Sequence, residues 1–308
     1  MDDKATYRLV QQRYGAHADG MPQSDRAHDE KVAIAFGYSL EDIQSIPQDA
    51  NMGVSCGNPL ATANLRQGEV VVDLGSGGGL DVILAAKKVG PNGASIGVDM
   101  TKSMLELGRR NVERAGLTNA TFVESSIVTI PLSSSTVDCV ISNCVVNLVP
   151  DSDKPKVFQE IFRLLKPGGR LAISDILARA ELPPHIRQDA ALFVECIAGA
   201  SLVEEYERYM QEAGFEGSGT AVAGRDLTSG PPTDKHISGI LIIDTKSDLN
   251  VYESGQTAGC CGSKSRTDET NAAPELNGVH SAASESAKVD LNEWVGSFRI
   301  FATKSANV

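Results

Sequence analysis

Two aspartates and a run of glycines carry the first chemical signal in this chain. Asp73 closes Val70-Val71-Val72 and opens Leu74-Gly75-Ser76-Gly77-Gly78-Gly79, and Asp99 follows about one strand–turn–helix unit later. Glycines let the backbone come close to a ligand that a Cβ would push away. A strand, a glycine-rich turn and a helix form the first unit of a nucleotide-binding α/β sheet. Asp99, at the end of the second strand, can accept hydrogen bonds from both ribose hydroxyls of an adenosine, a device that NAD enzymes share. Asp73 shifts the choice. A carboxylate there would repel a pyrophosphate on the next helix, but it suits a cation. S-adenosylmethionine, with an ammonium and a sulfonium, is such a ligand. The plainer reading is an ordinary strand-to-helix turn, which seldom needs so long a glycine run.

The elements that must position these residues alternate. Strands are expected at Val70–Leu74, Ala94–Val98, Thr121–Val123, Val137–Ser142 and Arg170–Asp175, with helices from Leu80, over Lys102–Ala115 behind Thr101 as cap, and over Lys154–Leu165. Repeated strand–helix order implies a parallel sheet with helices on both faces. Ligands then sit beyond the carboxyl ends of the strands, where Asp73, Asp99 and Asn143 fall. Ahead of the sheet, Tyr7, Val10 and Tyr14 have helical spacing, Asp29–Phe36 is a short helix, and Ser39-Leu40-Glu41-Asp42 is a helix start. The first of these reads as either a covering helix or a lid. After the fifth strand, helices are expected over His185–Ala200 and Glu204–Ala213, then strands over Ile237–Thr245 and Trp294–Thr303. Residues 252–288, poor in large apolar side chains, read as disordered.

The whole composition narrows the choice of partners. The chain has 308 residues and a net charge of -12, which argues against a nucleic-acid substrate. No apolar run is long enough to span a membrane, and the start at Met1-Asp2-Asp3-Lys4 has no signal-peptide pattern. A reducing cytosol is therefore the expected location, with the six cysteines as thiols. A lone cysteine inside a cell is usually a small core residue, and Cys139, within a strand, takes that reading. Zinc is disfavoured because no paired CxxC or His-x3-His spacing is present.

Val71 to Gly79 with Gly97-Val98-Asp99-Met100-Thr101 resembles the class I S-adenosylmethionine-dependent methyltransferases. Three cysteine contexts sharpen the likeness: Met52-Gly53-Val54-Ser55-Cys56-Gly57-Asn58-Pro59, Ser142-Asn143-Cys144-Val145-Val146-Asn147-Leu148-Val149-Pro150-Asp151, and Glu195-Cys196-Ile197-Ala198-Gly199-Ala200. Together they resemble the arsenite methyltransferases. Thiophilic arsenic(III) suits thiolate ligands, and its lone pair can attack a sulfonium methyl group without a general base.

The resemblance implies an α/β fold, a Rossmann-like class I methyltransferase sheet with helices on both faces, plus a smaller arsenic-binding and C-terminal region. It divides the chain into an N-terminal helical cap (1–50), a cofactor-binding methyltransferase domain (51–180) and an arsenic-binding and C-terminal region (181–308). Asp73, Gly75, Ser76, Gly77, Asp99, Met100, Ser126, Ile127, Asn143 and Val145 are the expected S-adenosylmethionine contacts. Cys56, Cys144 and Cys196 are the expected arsenic ligands and catalytic thiols. The substrate would be arsenite or methylarsenite, free or as a thiol conjugate, giving mono-, di- or trimethylated products for detoxification. A thiol reductant such as thioredoxin or glutathione would be consumed, and a monomer is expected. Many relatives carry a further cysteine upstream of Cys56 that this chain lacks; Cys260 and Cys261 are candidates for its role or for extra arsenic binding. Two other functions fit the residues less well: a methyltransferase for a small organic acceptor, which would need a base that no recognised motif supplies, and a non-enzymatic thiolate module that sequesters arsenic.

Overall fold

The computed structural model describes residues 2–20, 26–217, 239–249 and 290–306. Cys260, Cys261 and the segment 252–288 lie outside the described residues. Five strands run parallel: β1 (Val70–Leu74), β2 (Ala94–Asp99), β3 (Ala120–Glu124), β4 (Val137–Asn143) and β5 (Leu165–Ala178). Two more, β6 (Leu241–Asp244) and β7 (Val295–Thr303), complete a mixed sheet of order β3-β2-β1-β4-β5-β7-β6. β7 pairs antiparallel with both β5 and β6, so the expected all-parallel pattern holds only through β5.

The period-two alternation of side chains sorts the strands between two cores. Val72, Leu74, Val140, Leu171 and Ile173 enter one core with Phe158, Ile161 and Met210. Val71, Cys139, Ile141 and Ala172 enter the other with Val82, Ile83 and Leu60. Helices α7 (Lys154–Leu164) and α10 (Val203–Ala213) thus cover one face, and α4 (Leu60–Ala63) and α5 (Leu80–Val89) the other. Cys139 is fully buried in this core, as its place in a strand implied.

The switch point lies between β1 and β4, where chain connections leave in opposite directions. α5 starts directly after the glycine turn and is buried along almost its whole length. Helix α6 (Lys102–Arg114) begins at Thr101, but the hydroxyl of Thr101 makes no capping bond. Instead Asp99 Oδ1 accepts the Thr101 N–H at 2.8 Å. Ser39 does cap its helix α3 (Leu40–Gln44), accepting the Asp42 N–H at 3.0 Å.

A third apolar core sits above the carboxyl ends of the strands. Helices α1 (Asp3–Asp19) and α2 (Arg26–Ala35) bring Val10, Val32 and Phe36 to it, and β5 and β7 bring Ile176 and Val295. Where one helix was expected over 185–200, the chain forms α8 (Pro184–Arg187) and α9 (Ala190–Val194). Asp189 divides them: its Oδ1 accepts the N–H groups of Ala191 and Leu192, which restarts the helix. α9 ends at Val194, so Cys196 lies in the turn beyond it with φ of 65° rather than on a helix.

Candidate active site

Three thiols from distant segments are buried in the third core, Cys56, Cys144 and Cys196; the sulfurs of Cys56 and Cys144 lie within 4.8 Å of each other, and Cys196 does not complete a group of three at that distance. Cys144 follows β4 and donates its N–H to the Ser174 carbonyl on β5 at 2.8 Å. Cys196 donates its thiol to the Cys144 carbonyl at 2.8 Å. The Cys56 loop is held from both sides. Asn143 Oδ1 accepts the Cys56 N–H at 3.2 Å, and Ser297 on β7 donates its hydroxyl to the Cys56 carbonyl at 2.6 Å. Gly57 allows the close approach: a Cβ there would lie 2.5 Å from the Ser174 Cβ. Cys144 and Cys196 both have left-handed backbone, with φ of 60° and 65°. For a non-glycine residue that costs roughly 1–2 kcal/mol, a strain kept where the surrounding structure over-determines the geometry.

Burial sets the protonation of the cluster. Desolvation pushes the Cys56 thiol up to about 12 and raises Cys144 well above its ordinary range. The hydrogen bond with Cys144 raises Cys196, and burial adds to it. The thiols are therefore neutral near pH 7, and the core disfavours net charge. Beside them lies a buried carboxylate, Asp175, at the end of the segment Arg170–Asp175. An Asp175 oxygen and the sulfurs of Cys56 and Cys144 all lie within 4.8 Å of one another. Asp175 has the same signal that singled out Asp73 and Asp99, an acid where the apolar part of a strand was expected to end. Burial raises its carboxyl to about 6, against hydrogen bonds from Tyr206 and Ile176 that pull it down.

Next to the thiols is a partly open cavity. Gly75, Gly77, Asp99, Met100, Ser126, Ile127, Asn143, Cys144 and Val145 line it, together with Tyr7, Val10 and Tyr14 of α1. A smaller neighbouring cavity is lined by Asp73, Ser76 and Asp81 as well as Gly75, Gly77 and Asn143. All ten residues expected to contact the cofactor thus border two adjoining cavities. Of the three thiols only Cys144 lines the larger one; Cys56 and Cys196 stand behind it.

Three buried acids make this end of the site electronegative. Asp99 accepts the Gly77 N–H at 3.0 Å and the Thr101 N–H at 2.8 Å, which offset the rise that burial imposes. Burial, then the charges of Asp81 and Asp99, holds the Asp73 carboxyl well above its usual range. Asp81 is raised to about 6 by burial, with Tyr38 and Asn143 opposing it. Tyr38 donates to both Asp81 oxygens at 2.8 and 2.9 Å and accepts from Asn143 Nδ2 at 2.8 Å. Asn143 therefore joins the acid cluster to the Cys56 loop. Tyr38 and Asp81 were not anticipated, because their roles depend on contacts 43 and 105 residues apart in sequence.

Comparison with known proteins agrees with this fold. A family profile described as a methyltransferase domain matches residues 65–214. An arsenite methyltransferase from Halobacterium salinarum is 41% identical over 70% of this chain and 52% of its own length. One from Homo sapiens is 38% identical over 47% of this chain and 40% of its own. The crystal structure of an arsenic(III) S-adenosylmethionine methyltransferase from Chlamydomonas reinhardtii superposes with a TM-score of 0.53 at 25% identity, covering 90% of this chain and 73% of that one. This chain has the Rossmann-like fold of the class I methyltransferases. It spans about half the length of the curated arsenite methyltransferases that it matches.

The methyltransferase fold takes S-adenosylmethionine as its cofactor, and the cavities fit that group. Among the described residues no hydrogen bond reaches the Asp73 carboxylate, and the buried hydroxyl of Ser76 has no partner. An uncompensated acid and an orphaned hydroxyl suit a cationic, polar ligand end. The larger cavity is mainly apolar, with Asp99 at its edge, and suits an adenosine. No helix among the described residues is long and apolar enough to cross a membrane.

Proposed function

We propose that this methyltransferase transfers methyl groups to trivalent arsenic held by Cys56, Cys144 and Cys196. The burial of three thiols in one apolar core beside the cavity, with Cys144 on its wall, carries the reading. The likeness to arsenite methyltransferases supports it. The core prefers neutral contents. Arsenous acid condensing with three thiols gives a neutral tris-thiolate: each thiol proton leaves with a displaced hydroxyl as water, so no net charge enters. A divalent ion on three thiolates would leave a net negative charge. Burial of the thiols therefore favours a trivalent metalloid over zinc.

When bound, S-adenosylmethionine supplies an electrophilic methyl group. Asp73, with Ser76 and the turn at Gly75 and Gly77, holds the charged amino-acid end. Asp99, Met100, Ser126 and Ile127 hold the adenosine, and Asn143 and Val145 close the wall next to Cys144. The protein's work is mainly positioning, because arsenic's lone pair needs no proton removed. Turnover consumes a thiol reductant in the cytoplasm, where the arsenical is detoxified by methylation. The test is the purified chain with arsenite, S-adenosylmethionine and glutathione or thioredoxin, followed by speciation of the arsenic. Methylated arsenic is the expected product; its absence, with a cofactor-binding protein, overturns the reading.

A further inference from the structure

We infer that Asp175 supplies the negative charge that stabilises arsenic as it becomes cationic during methyl transfer. The inference rests on the thiol cluster being the arsenic site. An oxygen of Asp175 lies within 4.8 Å of the sulfurs of both Cys56 and Cys144, so the carboxylate borders any atom these sulfurs hold. Its hydrogen bonds all run toward it. Tyr206 donates to Oδ2 at 2.6 Å, Asn147 Nδ2 to Oδ1 at 3.0 Å and the Ile176 N–H to Oδ1 at 2.9 Å. Such a donor set holds an anion and fixes its direction. The buried cation nearest in effect, Lys154, is engaged elsewhere: its Nζ bonds Asp151 at 2.7 Å, the Gly199 carbonyl at 2.5 Å and Ser201 at 3.0 Å. Asp175 is thus a fixed charge without a contacting counter-ion.

The reaction creates the missing counter-ion. Arsenic bound by three thiolates is neutral. Its lone pair forms the As–C bond as the donor's S–C bond breaks, and that bonding pair stays on the donor sulfur. The donor leaves neutral, while arsenic, formally oxidised from III to V, carries the single positive charge. The charge therefore moves toward Asp175 during the step. In a core that excludes water, a preorganised opposite charge acts far more strongly than in solvent. Because the charge is absent from the bound ground state, Asp175 should affect the rate and not the affinity for arsenite.

The test uses the full chain. Asp175→Asn keeps the shape and removes the charge. Arsenite binding is read from the fluorescence of Trp294, the single tryptophan, which packs against the same core. Methyl transfer is read in single turnover with both substrates saturating. The expected result is a rate lower by roughly 100-fold or more, the scale of one lost preorganised electrostatic contact, with arsenite affinity within about threefold of the parent. A rate within about threefold of the parent overturns the inference. So does loss of arsenite binding in parallel with rate, which would make Asp175 a ligand or a structural prop. If Asp175→Asn fails to fold by circular dichroism, Tyr206→Phe frees the carboxylate from its 2.6 Å donor. That variant should turn over roughly 5–10-fold more slowly at unchanged arsenite affinity, and an unchanged rate overturns the inference. A parent protein that methylates no arsenic sinks the functional reading itself, and does so before any variant is compared.

Discussion

Gly75 and Gly77 share a backbone conformation and differ in the space around them. Their φ angles are 67° and 50°, so an alanine at either pays the left-handed penalty of roughly 1–2 kcal/mol. A Cβ on Gly75 would lie 2.4 and 2.6 Å from the two methyl groups of Val145. On Gly77 the nearest atom beyond the chain neighbours is Met52 Sδ, at 3.8 Å. Overpacking adds about 1–3 kcal/mol at Gly75 alone. Gly75→Ala should therefore cost roughly 2–5 kcal/mol, and Gly77→Ala only about 1–2. The clash also reaches the site, since Val145 follows Cys144 and lines the larger cavity. Urea denaturation and calorimetric binding of S-adenosylmethionine read both effects. Gly75→Ala should bind the cofactor about tenfold more weakly than Gly77→Ala. Adding Val145→Ala removes the methyl groups that clash, and the double-mutant cycle should show a coupling of roughly 1–2 kcal/mol. Equal losses at the two glycines, or a cycle with no coupling, would refute the reasoning.

Tyr38→Phe removes the hydroxyl that donates to Asp81 and accepts from Asn143, and a hydrogen bond to a charged partner is worth about 1.5–3 kcal/mol. Because Asn143 also holds the Cys56 N–H, arsenite affinity should fall together with the melting temperature; a fall in stability alone would show that the link to Cys56 carries nothing. Burial raises Cys56 and Cys139 from 9.0 to about 12, so their contribution to stability is complete below pH 9 and is lost as pH rises toward 12. Each buried thiol should cost about 1.4 kcal/mol per pH unit in that window. Arsenous acid condenses with neutral thiols by losing water and no net proton, so saturating arsenite should raise the melting temperature without flattening this decline; a saturated protein whose stability no longer falls between pH 9 and 11 would contradict neutral thiols in the folded state. Cys139→Ala is expected to cost about 1–2 kcal/mol of stability and no arsenic methylation, because Cys139 faces the core between the sheet and α4 and α5.

The parts of this site that were legible in the sequence depend on local chemistry. The glycine turn, the acids at the ends of β1 and β2 and the strand–helix alternation are set by backbone geometry and side-chain period, and each stands where it was read. Tyr7, Val10 and Tyr14 showed helical spacing, but only packing reveals that all three line the cavity. The apolar spacing runs on past Asp189 and predicts a helix through Cys196, but the side-chain cap at Asp189 breaks what the spacing joins. Asp175 could have been found by the same rule that found Asp73 and Asp99. Its partnership with Tyr206, 31 residues on, could not. The antiparallel β7, which clamps the Cys56 loop through Ser297, comes from the far end of the chain and has no local signature for that contact.

X-ray absorption at the arsenic edge, on the full chain with one equivalent of arsenite, counts the sulfur atoms on the metalloid. Three sulfurs are expected in the parent and in Cys139→Ala, falling to two when Cys56, Cys144 or Cys196 is replaced singly by serine. Fewer than three sulfurs in the parent, or a count unchanged by those replacements, contradicts the site.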